Sequence, residues 1–417
     1  MLPSVPRSAS RPSGGSRFDL YVMDVSYFSG KLECYFRFKE LGYRRIEPTL
    51  RELQQLGREH TGSTQVPLVY DAREDVWLRD TTPIIERFEA DAELTTSANR
   101  VVPADPELAW IAWLIEDYAD ESLWRLGMFY RWAPRLDATV LSTRFAYEFA
   151  RELPWRGVWL PAALRARVLR ARQRLFSVAG EDIRRPEQFA AMEREYHALL
   201  DTLEPILARS PYLLGSRPSV ADFGLMGPCF RHLSHDPTPR KIMQQRAPRV
   251  YGWCGRMFSD TASALPPTAR FEDELSAPAT ALFQLAALQH ARYGRFNAAA
   301  VAAGERAFRH PDGSTRPAVP YRAWSFAQLQ RKLVATGPSA RARLEARLRG
   351  CGAWRYLFSE DARAEDLASL ERCIATVEPE GGIEPPRCAP GAAPLVGEKW
   401  PLASVLWRLL GGGFTRR

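Results

Sequence analysis

Between Phe18 and Ala90 short β-rich runs alternate with helical ones, and after Pro106 the β pattern stops. The spacing predicts a strand over Leu20–Val25 and a helix over Lys31–Leu41 with Leu32, Tyr35, Phe36 and Leu41 on its apolar side. A short strand near Arg45–Glu47 and a helix around Thr49–Arg58 follow. Strands over Val66–Tyr70 and Val76–Leu78, separated by a turn, then lead into a helix from Thr81 to about Ala90. The order β-α-β-α-β-β-α is too short for two layers of sheet and too mixed for a bundle. It implies one small mixed sheet covered by helices.

Beyond the proline-containing linker Val101–Pro106 apolar residues recur only at helical spacing. Helices are expected over Pro106–Trp132, Leu136–Arg151, Pro161–Val178, Pro186–Arg209, Val220–Ser234 and Ala247–Phe258. A Pro/Ala-rich break at 265–280 precedes helical patterns at Ala281–Phe308 and Tyr321–Leu348. At 417 residues the chain exceeds one ordinary core. The expected division is α/β plus all-α: a disordered N-terminus 1–16, a mixed domain 17–92, an all-helical domain 105–264, a helical extension 276–374, and a Pro/Gly-rich tail 375–417 containing the short apolar segment Trp400–Leu410.

The net charge of +8 comes mostly from arginines spread among acids rather than from a basic stripe, which speaks against a nucleic-acid surface. No run has transmembrane length. The six cysteines are scattered without a CxxC pair, consistent with a reducing, cytoplasmic setting and no structural zinc. Glu116, Asp117, Asp120 and Glu121 read as the polar face of a helix whose other side carries Trp and Tyr. Tyr118, Trp124, Tyr130 and Trp132 are candidates to line an apolar pocket.

Two stretches carry more than periodicity. In "QVPLVYDAREDVWLRDTTPI" (65–84), Pro67 has no N–H to give a ladder and belongs at a strand start. Asp80 ahead of two threonines reads as a helix N-cap, with Pro83 tolerated in the first turn. In "YLLGSRPSVADFGLMGP" (212–228), Ser219 and Asp222 have the spacing of a capping box. Val-Pro, then Asp-Thr, then this box resemble the cytosolic glutathione transferase superfamily over about residues 18–260. In "EDYADESLWRLGMFYRW" and "YRAWSFAQLQ" the chain is similar to longer, bacterial glutathione transferase-like proteins.

The resemblance implies a thioredoxin-like domain ahead of an all-helical one. It also implies a cis Val66–Pro67 bond, with the Val66 backbone pairing with the cysteinyl part of glutathione. Asp80 would face the γ-glutamyl ammonium, and Thr81 would take its carboxylate at a helix N-terminus. In "DVSYFSGKLECYFRFKEL" it offers Ser29, or alternatively Tyr27, as the hydroxyl that activates the thiol. No cysteine stands at 29, which argues against the thiol-transferase branches. Glutathione would be the co-substrate, a small apolar electrophile the second substrate, and the protein a homodimer without a membrane span. A non-catalytic, metaxin-like scaffold acting through the C-terminal helices is the alternative.

Overall fold

The computed structural model describes residues 15–62, 64–149 and 186–375. The helix expected over Pro161–Val178, most of the N-terminal segment and the apolar stretch Trp400–Leu410 lie outside these residues. Four strands, β1 (Phe18–Tyr21), β2 (Tyr43–Ile46), β3 (Leu68–Asp71) and β4 (Val76–Arg79), form one sheet in the order β2-β1-β3-β4. β1 runs parallel to β2 and antiparallel to β3, and β3 is antiparallel to β4. The β1–β2 crossover is α1 (Tyr27–Phe38). The β2–β3 connection holds α2 (Leu50–Leu56), and α3 (Thr81–Ala90) follows β4. This is a thioredoxin-like mixed sheet. β1 ends four residues earlier than its apolar run suggests, and α1 starts four residues earlier because Ser26 caps it by accepting the Ser29 N–H.

The helical part comprises α4 (Pro106–Asp117), α5 (Trp124–Trp132), α6 (Arg135–Phe149), α7 (Pro186–Arg209), α8 (Val220–Pro228), α9 (Pro237–Arg246) and α10 (Pro248–Ser259). The single helix expected over Pro106–Trp132 is interrupted by a π-helical turn, Tyr118–Ser122. α8 is seated deeply because it presents glycines. A Cβ on Gly224 would lie 2.6 Å from the Glu116 backbone, and one on Gly227 2.4 Å from the Tyr27 ring. The expected box closes at the start of α8: Asp222 Oδ2 accepts the Ser219 N–H at 2.9 Å. The serine hydroxyl donates to the same oxygen at 2.7 Å.

The extension consists of α11 (Ala277–Ala302), a hairpin of β5 (Ala307–Arg309) and β6 (Thr315–Pro317), α12 (Pro320–Ala335), α13 (Pro338–Gly350), α14 (Trp354–Leu357) and α15 (Leu367–Arg372). The helical pattern to Phe308 breaks at Gly304, which has φ 70°. The run Tyr321–Leu348 divides at Gly337-Pro338. One buried apolar core runs from Phe18 and Leu20 in the sheet, through Trp110 and Leu114 on α4, to Phe326 on α12 and Leu344 on α13. α4 is apolar on nearly all sides because α8 covers one flank and the extension the other. Among the described residues no helix is long and apolar enough to cross a membrane.

Candidate functional site

Register brings the resemblance residues to one end of the sheet. Tyr21 on β1 pairs with Leu68 on β3, and Leu68 with Arg79 on β4. One step further along, Val22, Pro67 and Asp80 stand side by side where β1 ends, β3 begins and β4 ends. The Val66–Pro67 bond is cis. Pro67 is buried and Val66 half-buried, against Met23 and Leu53. The Val66 N–H and C=O take no partner among the described residues, leaving a short free strand edge.

Asp80 caps α3. Its Oδ1 accepts the Thr82 N–H at 3.4 Å. Its backbone has φ 71° and ψ 124°, a conformation that costs a non-glycine residue on the order of 1–3 kcal/mol. Such strain persists where surrounding structure fixes it, and here the fixing groups are the Thr82 amide and, from the extension, the Tyr321 hydroxyl, which donates to Asp80 Oδ2. Burial pushes the Asp80 carboxyl upward, against the bond from Tyr321. Thr81 is buried. Its hydroxyl reaches Asp120 at 3.5 Å, and its backbone N–H has no partner among the described residues.

Of the two hydroxyls expected to activate a thiol, neither opens on this sheet end. Ser29 is wholly buried and its Oγ accepts the Met23 N–H at 3.3 Å. Tyr27 is buried against α8 and donates to the Ala119 carbonyl at 2.6 Å. Burial pushes the Tyr27 phenol well up, so it holds its proton. Ser26 is the hydroxyl that sequence reasoning passed over. It is partly exposed, its oxygen accepts the Ser29 N–H at 3.2 Å, and its proton finds no acceptor among the described residues. The missed signal was a serine just before an apolar-periodic run, the mark of an N-cap. Two arginines from the helical part hold this loop still: Arg231 donates to the Met23 carbonyl at 2.8 Å, and Arg131 to the Val25 carbonyl.

Beneath α3 lies a charged cluster. Lys31, fully buried on α1, donates to Glu116 and Asp120, both at 2.5 Å. Thr82 donates to the same Glu116 oxygen, also at 2.5 Å. Burial opposes the Lys31 charge, but Asp120 and Glu116 together hold its pKa above normal. Burial pushes the Asp120 carboxyl well up. Asp117 accepts from His290 Nε2 at 2.6 Å, and His290 Nδ1 meets Ser122 Oγ at 3.0 Å. Glu121 accepts from Arg322 Nε at 2.9 Å. All four acids, expected on the polar face of a helix, are buried, because Lys31, His290 and Arg322 approach them from three other elements. Tyr118, Tyr130 and Trp132 are core residues, while Trp124 is half-buried under the Arg322 guanidinium.

The arrangement can recognise a peptide-like acid. Two helix N-termini, a free edge amide and carbonyl, and an unpartnered amide at the start of α3 favour a carboxylate and an extended backbone. Residues 186–256 match the family model of the glutathione S-transferase C-terminal domain. No curated protein matches the chain in sequence. Among solved structures, the β-etherase LigF from Sphingobium sp. is 18% identical, with 59% of this chain and 96% of that one covered at a TM-score of 0.41. A glutathione S-transferase from Rhodospirillum rubrum is 16% identical, covering 60% of this chain and 96% of that one at 0.36. One from Methylobacterium radiotolerans, in complex with glutathione sulfonate, is 16% identical, covering 63% and 100% at 0.33. The four-stranded thioredoxin-like sheet is thus followed by a helical segment that matches the glutathione S-transferase C-terminal domain.

Proposed function

We propose that the chain binds glutathione at this sheet end and activates its thiol for attack on a small apolar electrophile. The observation that carries the reading is the meeting of the unpaired Val66 backbone, beside cis Pro67, with Asp80 and Thr81 at the start of α3. In this reading Val66 takes the cysteinyl backbone as an added strand. Asp80 faces the γ-glutamyl ammonium, and the Thr81 N–H takes the adjoining carboxylate. Ser26 is the thiol's donor. A hydroxyl at a positive helix end stabilises the thiolate, whose parent thiol has a pKa around 8.5 when free. The reading takes the protein as a cytoplasmic homodimer, which light scattering of the full chain checks for its assembly.

Ser26→Ala should leave glutathione affinity near that of the unaltered protein. It should raise the pKa of the bound thiol and lower turnover on the order of a hundredfold. Ser29→Ala and Tyr27→Phe should lower the melting temperature without moving the pH–rate profile. If Ser29→Ala moves the profile and Ser26→Ala does not, activation belongs to Ser29. The scaffold reading draws on the burial of Ser29 and Tyr27 and on Tyr321 holding Asp80. Retention on immobilised glutathione separates the two: a protein that passes through unbound supports the scaffold.

A further inference from the structure

The extension reaches the site through the first turn of α12. Oδ1 of Asp80 is committed to the Thr82 amide inside the α3 cap, so Oδ2 is the oxygen left to face a ligand. That oxygen is the one to which Tyr321 donates. The phenol lies beside the Trp324 ring, with centroids 5.5 Å apart. The helix behind it is firmly held. Val319 exchanges two hydrogen bonds with the Asn297 amide, at 2.8 and 3.0 Å. Ala323, Phe326, Ala327, Leu329 and Leu333 are buried, and the Leu329 carbonyl accepts from Trp110 at 3.0 Å. Tyr321 itself is only half-buried.

We propose that Tyr321 is an internal competitor for Asp80, a latch by which the extension lowers the affinity of the site for glutathione. The inference rests on the glutathione reading above. The ammonium of the γ-glutamyl group and the Tyr321 hydroxyl seek the same oxygen, and the bulk of the phenol beside it makes the two compete for the approach. By linkage, bound glutathione loosens Tyr321 by the same factor by which Tyr321 weakens glutathione.

Calorimetric titration of the full chain with glutathione tests this. Tyr321→Phe should tighten the dissociation constant several-fold, and Tyr321→Ala about tenfold or more, the effect expected when a hydrogen bond to a charged group no longer opposes binding. In the Asp80→Ala background the gain from Tyr321→Ala should vanish, since nothing remains to compete for. Affinity unchanged in both Tyr321 variants, with melting temperatures preserved, overturns the latch, and affinity weakened in both overturns it and makes Tyr321 part of the binding surface. If the unaltered protein and all variants alike fail to bind, the glutathione reading itself falls and the latch with it.

Discussion

Asp222 holds four donors at once: the Ser219 amide and hydroxyl, the Leu213 amide at 3.0 Å, and the Trp253 indole N–H at 3.2 Å. A capping box accounts for only the first pair. The others bind the loop before α8 and α10 to the same carboxylate, which makes this acid a junction of three segments. Asp222→Ala would leave buried donors without acceptors, each costing roughly 1–3 kcal/mol. The variant is expected to lose about 3 kcal/mol or more, read as the shift in denaturant midpoint. A loss near 1 kcal/mol would mean that the carboxylate only caps α8.

The π-helical turn Tyr118–Ser122 is the element with the widest effects. It turns Asp120 and Glu121 inward, so that Lys31 approaches one and Arg322 the other. Burial pushes the Glu121 carboxyl up to about 7, with Arg322 opposing the rise. Its folded pKa therefore lies above the unfolded value of about 4.3. The stability it contributes is fully present below that value and is lost as pH rises toward about 7. Thermal melts should show stability falling over this window, and Glu121→Gln should flatten the fall; an identical profile in the variant would show that another group titrates. The sequence made α3 legible to the residue, since Asp80, Thr81 and Pro83 are local signals acting within one turn. The box at Ser219 was legible for the same reason, while the cis Val66–Pro67 step followed from the resemblance. Burial of the four acids was not, because their partners stand up to 201 positions away. Nor was the burial of Ser29 and Tyr27, which depends on where α1 begins and on how it meets the helical part.

For the whole molecule, the extension is part of the core. Trp113 faces the Lys332 ammonium at 5.2 Å, Trp110 donates to Leu329, and Glu107 pairs with Arg343 and Arg347. Lys332 also reaches Glu86 on α3 at 2.5 Å. Deleting residues 276–417 would uncover the apolar flank of α4 and strip Asp117 and Glu121 of their partners. Removing one partner of a buried pair costs about 3–5 kcal/mol. The truncated chain is expected to aggregate or to bind a hydrophobic dye, seen by size exclusion and fluorescence; a monodisperse, cooperatively melting product would contradict this. The pairing of Glu121 with Arg322 also sets a clock on biosynthesis. Its two halves are 201 residues apart, and at ribosomal speeds of about 5–20 residues per second the acid waits on the order of ten to forty seconds for its arginine. Throughout that interval the nascent chain leaves uncovered the apolar flank of α4 that the extension will bury, the kind of segment that chaperones shelter.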